Sequence, residues 1–220
     1  MLRFLWGDDG GLDTVEERFV GMLHDARHVF DLAIGARFGG ADPATVAQDL
    51  TDTEERTDEA EREIRRRVLV HASAHGAQAD FSTCLRYMSV AKDGERIADL
   101  AKQLFGIAEV IGAVDPGPVR DDLSDLGARI SPLIADVAEA FRSDDEARAE
   151  AAIEAAREVQ TRCRARINEL LREEVDVPYP AATALSYRQL SRVAANVLNI
   201  ASSVVMPLHQ IDYPRQDDRR

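Results

Sequence analysis

The chain has 220 residues, of which 30% are charged and only 5% aromatic, and its 40 acidic and 27 basic residues give a formal net charge of −13. So acidic a chain is a poor candidate for binding nucleic acid, because phosphate contacts need clustered Lys and Arg. Frequent Ala, Leu, Arg and Glu favour an all-α fold over β-sheet.

The first half of the chain predicts three helices. Apolar residues recur at three and four spacings through residues 12–38, which predicts the first helix. Asp42 and Pro43 form a capping signal for the second helix, over 43–73. The third helix, over 79–113, is apolar on more than one side and should be the most buried helix of this half.

A Pro116-Gly117-Pro118 break near the midpoint separates these helices from three more, over 119–142, 145–173 and 180–206. Pro132 falls inside the fourth helix, and we expect it to kink that helix or restart it after Ser131. The segment 207–220 is polar, and we expect a loose tail.

The two halves indicate an internal repeat. At an offset of 96 residues the third helix aligns weakly with the sixth, so that Arg96 meets Arg192 and Ala98 meets Ala194. We therefore predict six helices in two tandem three-helix bundles, a first repeat over 12–115 and a second, degenerate repeat over 118–206.

Two pairs of carboxylates are the main candidate site. Glu54 and Asp58 lie on the second helix, and Glu95 and Asp99 lie on the third. Residues four apart share a helix face, where like charges repel, so each pair favours a cation between its members. The alternative is that these acids only solvate an exposed helix face.

The hairpin between these helices brings the pairs to one level. In an antiparallel hairpin, the residue numbers of two facing residues have a constant sum. If the turn lies between Ser73 and Asp80, that sum is 153, so Glu54 faces Asp99 and Asp58 faces Glu95. Four carboxylates at one level predict an oxygen-rich site for Mg, Mn, Fe or Zn. Glu55 and Asp93 are near enough to join it.

The histidines are weaker candidates. His24 and His28 lie level with the acids but on the face opposite the apolar stripe, so we expect them to face solvent. His71 and His75 have the character of helix-end residues. The chain contains no ExxH pair, which argues against a ferritin-like di-iron bundle.

Nothing in the sequence indicates an enzyme. We find no nucleophile with an oriented base, no glycine-rich phosphate loop and no His-rich open metal site. Cys84 and Cys163 are far apart and outside any CxxC, which fits a reducing compartment. The sequence has no recognisable signal peptide or transmembrane stretch, so we expect a cytoplasmic protein.

The segment from Lys92 to Ala101, which reads KDGERIADLA, resembles a signature of the PhoU family. That family typically shows an acid followed by Glu-Arg-Ile-small-Asp on the third helix of each three-helix repeat. The acidic stretch 54–61, followed by Arg62-Glu63-Ile64, is similar to its second helix. The resemblance covers roughly residues 12–206.

This resemblance implies a six-helix cytoplasmic regulator of phosphate uptake and signalling that is not an enzyme. It implies metal binding through the paired acids, and action by contact with phosphate transporter components or a sensor histidine kinase. Contact with the membrane is then made only through the partner. Pairing into a homodimer stays open.

The second repeat departs from the family pattern. Ser191 and Ala195 stand where Glu95 and Asp99 stand in the first repeat, and Arg157 and Thr161 stand where Glu54 and Asp58 do. We therefore expect no second carboxylate cluster. The alternative function is a metal-free helical interaction scaffold or an accessory protein of another transporter.

Overall fold

The structure is a computed structural model that describes residues 11–76, 80–172 and 174–210. Within these ranges the chain forms six α-helices and a short 3-10 turn: α1 (Gly11–Arg37), α2 (Pro43–His75), α3 (Phe81–Ile111), α4 (Pro118–Ser143), α5 (Glu146–Leu171), α6 (Pro180–Val205) and the turn Leu208–Gln210. The predicted helix bounds agree with these to within two residues. Residues 211–220 of the predicted tail lie outside the described part of the chain. None of the described helices combines the length and apolar character that crossing a membrane requires.

The helix starts are fixed by local chemistry, which is why the sequence predicts them well. The Asp42 carboxylate accepts a hydrogen bond from the backbone N–H of Ala44 at 3.0 Å, just where Pro43 begins α2. Asp80 and Asp145 cap α3 and α5 in the same way. Each cap satisfies a backbone donor that the first helical turn leaves without a partner.

The fourth helix differs from expectation, since α4 runs without interruption through Pro132. The predicted restart after Ser131 is therefore wrong. A proline removes one intrahelical hydrogen bond, but the residues around it are anchored in the core, with Ile130, Leu133 and Ile134 all buried. Burial of that apolar stripe on both sides of Pro132 holds the two halves of the helix in one segment.

Two three-helix bundles make up the fold, α1–α3 and α4–α6, and every pair of helices within each bundle is in contact. The bundles meet through two further contacts, α1 against α4 and α3 against α6. Aromatic rings pack between the bundles: the centroid of Phe141 on α4 is 4.7 Å from that of Phe19 on α1 and 5.5 Å from that of Tyr87 on α3. A single apolar core therefore runs through both repeats.

Two side-chain hydrogen bonds between α3 and α6 show how these two helices are oriented. Asn199 donates to Asp93 at 3.1 Å, and Gln189 donates to Gln103 at 3.0 Å. At the predicted offset of 96, Asp93 corresponds to Gln189 and Gln103 corresponds to Asn199, so the two bonds join matching pairs of positions. A residue early in α3 meets one late in α6, and the reverse, so the two helices run antiparallel.

Candidate functional site

The predicted acids lie where α2 and α3 pack against each other. We call this set, Glu54, Asp58, Glu61, Glu95 and Asp99, the acidic seam. Glu54 is buried and the other four are half-buried. We did not predict Glu61 from the sequence. Its position one turn after Asp58, within an acidic run, was the signal that could have identified it.

The buried glutamate of the seam binds a lysine. Lys102 Nζ lies 2.7 Å from Glu54 Oε2, and the Glu54 side chain is only 10% exposed. Hydrogen bonding to Glu54 raises the pKa of Lys102, so the ammonium stays charged. The predicted partner of Glu54 was Asp99, one turn earlier on α3. Helical side chains lean toward the N-terminus of their helix, so Lys102 reaches back to the level of Asp99.

The other four acids of the seam also lie near cationic side chains. Arg65 Nη2 is 2.8 Å from Glu61 Oε1, and Arg96 Nε is 3.7 Å from Glu95 Oε2. Arg96 Nη1 donates to Asp99 Oδ2 at 3.1 Å, and Gln103 donates to the same oxygen at 3.0 Å. Arg62 approaches Asp58 to 3.8 Å on the solvent side. Charges that the chain itself supplies therefore offset the repulsion between the carboxylates.

Glu95 is the acid of the seam whose titration is most perturbed. Burial raises its pKa to about 7, the nearby Arg96 opposes that rise, and the charges of Asp99, Glu61 and Asp58 add to it. Glu95 consequently binds a proton more readily near neutral pH than an exposed glutamate does. The raised pKa of Glu95 and four cationic side chains, Lys102, Arg62, Arg65 and Arg96, reduce the negative charge of the seam.

As folded, the seam does not fit a resident metal ion. Within the described ranges, no group of three or more His, Cys, Asp or Glu side chains is arranged to hold a metal. The Lys102 ammonium already binds the most buried carboxylate, so a cation there would first have to displace it. Metal binding by the four predicted acids stays a prediction.

The two weaker candidates differ in their relation to the four main acids, since the charge of Glu55 acts on Lys102 whereas Asp93 faces α6. Glu55 is exposed on α2. Asp93 is buried on the side of α3 that faces α6, where Asn199 donates to it. The expectation that His24 and His28 face solvent is confirmed, since both are exposed, and His28 lies 2.9 Å from Asp49.

The second bundle has a different polar centre. Asp122 of α4, only 7% exposed, accepts hydrogen bonds from Arg162 Nε at 2.9 Å, Arg166 Nε at 3.2 Å and the Tyr187 hydroxyl at 2.8 Å. Burial alone would raise the pKa of Asp122, but these donors lower it below its usual value. We call this set the Asp122 cluster. It ties α4, α5 and α6 together, which is a structural role.

The positions that match the acidic seam in the second bundle hold no such cluster. Ser191 and Ala195 are half-buried on α6, and Arg157 pairs with Glu154 at 2.7 Å on α5. Neither a hydroxyl nor a methyl group replaces a carboxylate as a strong cation ligand. Each half of the molecule is a bundle of three helices, but the side chains at these matching positions differ.

Comparison with known proteins agrees with the predicted resemblance. Residues 19–108 match the family model of the PhoU domain. The crystal structure of PhoU from Pseudomonas aeruginosa is 18% identical, with a TM-score of 0.79 over 90% of this chain and 97% of that one. The phosphate transport system regulatory protein PhoU from Streptococcus pneumoniae is 17% identical, with a TM-score of 0.73 over 88% and 93% of the two chains. No curated protein matches the chain significantly.

Proposed function

We propose that this chain is a PhoU-type regulator of phosphate transport and signalling, which acts by contact with a phosphate transporter or its sensor histidine kinase. The observation that carries the proposal is the PhoU domain match over residues 19–108, within a six-helix fold that aligns along most of its length with two PhoU structures. The similarity to those structures is a similarity of fold, and the function is our inference from it.

The surface chemistry supports regulation by contact rather than catalysis. The carboxylates of the acidic seam are held by Lys102 and Arg96 on the same bundle, so they form a fixed, partly neutralised surface. Such a surface suits recognition of a partner, where charge complementarity sets specificity and encounter rate. We place the protein in the cytoplasm, with contact to the membrane only through its partner.

The experiment is a deletion of the gene in its native host, with phosphate uptake and a phosphate-starvation reporter measured in phosphate-rich medium. We expect the deletion strain to express the starvation reporter, or to take up phosphate faster, and the wild-type gene to reverse the change. Unchanged uptake and reporter levels, together with a defect in the uptake of another ion, would instead support an accessory protein of another transporter.

The Glu54–Lys102 ion pair favours a second candidate, a metal-free interaction scaffold of the same fold. The lysine supplies the positive charge that a bound cation would otherwise provide. Metal binding through Glu54, Asp58, Glu95 and Asp99 is the competing proposal, and it requires Lys102 to leave Glu54.

Thermal melts of the chelated protein with and without Mn²⁺ or Zn²⁺ separate these two candidates, because a ligand that binds only the folded state raises the midpoint. A rise that is lost in the Glu95→Ala, Asp99→Ala double variant supports the metal site. No rise, together with a double variant that is as stable as wild type or more so, supports the metal-free scaffold.

A further inference from the structure

A groove of about 490 Å³ lies between α3 and α6, on the side of α3 that faces the second bundle. Its lining comes from one face of each helix: Met88, Ser89, Lys92, Asp93 and Arg96 of α3, and Arg192, Ala195, Asn196 and Asn199 of α6. We call it the basic groove. Both repeats build it, and the sequence alone did not indicate it.

The charge of the basic groove opposes that of the whole chain. Lys92, Arg96 and Arg192 bring three cations to one opening, in a protein whose formal net charge is −13. One carboxylate, Asp93, also lines it, and Asn199 donates a hydrogen bond to that carboxylate at 3.1 Å. The lining therefore carries more positive than negative charge.

Two of the three cations are available to a ligand. Lys92 and Arg192 are exposed, and neither forms an ion pair within the part of the chain that the structure describes. Arg96 is shared, because its guanidinium also donates to Asp99 of the acidic seam. Other exposed arginines, such as Arg164, also have no ion pair in the described ranges, so the convergence of three cations on one opening is what distinguishes the groove.

The remaining groups suit phosphate oxygens. Guanidinium groups and ammonium groups are the strong donors for phosphate, and the Ser89 hydroxyl and Asn196 amide add neutral donors at the same opening. The volume lies within the range of small-molecule sites and is larger than one phosphate ion needs. We propose that the basic groove binds the phosphate groups of a small ligand, either inorganic phosphate or a phosphorylated metabolite.

Because the groove lies between the two bundles, a ligand bound there would affect both of them. Arg96 and Arg192 are equivalent residues of the two repeats at the offset of 96, so an anion held by both bridges the two bundles. It also draws Arg96 away from Asp99, which leaves the acidic seam more negative. Occupancy of the groove would thereby change the surface that we propose for partner recognition.

The test is calorimetric titration of the purified full chain at low salt with three separate probes: inorganic phosphate, pyrophosphate and a nucleoside diphosphate. Arg192→Gln removes one groove cation. Arg164→Gln, an exposed arginine of α5 outside the groove, is the matched control. We expect Arg192→Gln to weaken binding at least about tenfold and Arg164→Gln to leave it nearly unchanged, since charge-assisted contacts dominate such sites. Thermal melts verify that both variants fold.

Each result decides the proposal. Binding of inorganic phosphate points to the free ion, whereas binding of only pyrophosphate or the nucleotide points to a phosphorylated metabolite, and both support a phosphate site. No binding of any probe, or binding that Arg192→Gln and Lys92→Gln both leave intact, overturns it. Binding of an acidic peptide without any small anion also overturns it and makes the groove a protein contact. Because the purified chain is measured, this result is independent of the cellular test of phosphate regulation.

Discussion

Removing the carboxylate of Asp122 should be one of the most damaging single changes in the second bundle. Asp122→Ala removes the acceptor of Arg162, Arg166 and the Tyr187 hydroxyl at once. The buried hydroxyl then lacks an acceptor, which costs about 1–3 kcal/mol. Each hydrogen bond from an arginine contributes less to stability than it would between fully buried groups, because the Arg162 and Arg166 side chains are 35% and 42% exposed. We expect a total loss of about 3–5 kcal/mol in the free energy of unfolding.

Asp125→Ala is the matched control for that change. Asp125 lies one turn further along α4, also pairs with Arg162, at 2.6 Å, but is 46% exposed. Exposed ion pairs contribute little, so this variant should lose much less stability than Asp122→Ala. Urea denaturation at neutral pH, followed by far-UV circular dichroism, gives both values. Equal losses in the two variants would refute the argument that burial makes Asp122 different.

The same cluster predicts a pH dependence. Because the pKa of Asp122 is lowered in the folded state, its stabilisation is present above the unfolded pKa and is lost as the pH falls through the folded value. The stability difference between wild type and Asp122→Ala should therefore be constant near neutral pH and shrink in acid, at pH values below about 4. A difference that grows in acid would contradict the lowered pKa.

Three further predictions concern the packing and the acidic seam. Gly127→Ala should lower the melting temperature, because a Cβ there would lie 2.9–3.3 Å from three atoms of the stiff Ile34 side chain. Gly106→Ala is the control, since a Cβ at that position meets nothing within 4 Å. The control variant should be as stable as wild type or more stable by up to about 1 kcal/mol. Because the raised pKa of Glu95 makes the folded state bind more protons than the unfolded state, the wild type in metal-free buffer should lose stability as the pH rises from 4.5 to about 7. Glu95→Gln should abolish that loss. A variant with the same pH profile as wild type would contradict the raised pKa. Lys102→Met should cost about 1–3 kcal/mol in urea denaturation by leaving a buried carboxylate without its partner, and no loss would show that the ion pair contributes nothing.

The helices could be predicted from the sequence because their signals are local. Asp42 with Pro43, and Pro116-Gly117-Pro118, fix helix ends through backbone chemistry within a few residues. Pro132 shows the limit of that reasoning. Its local effect on the helix is unfavourable, but the buried residues around it belong to a core formed by distant parts of the chain.

The repeat offset was also present in the sequence, as the weak match of Arg96 with Arg192 and Ala98 with Ala194. What the sequence did not contain was how the two repeats pack. The antiparallel contact of α3 with α6 turns Asp93 away from the other predicted acids and toward Asn199. Hydrogen-bond partners 106 residues apart follow from tertiary packing, which local periodicity does not encode.

The sequence by itself determined an acidic all-helical chain, its six helices and the helices that carry the predicted acids. These properties depend on residue type and on spacing along one helix or one hairpin. Only the tertiary structure decided that Lys102 occupies the position opposite Glu54, and that Lys92, Arg96 and Arg192 converge on one groove. A side chain's partner depends on how two helices are rotated and shifted against each other, and the shape of the whole core sets that arrangement.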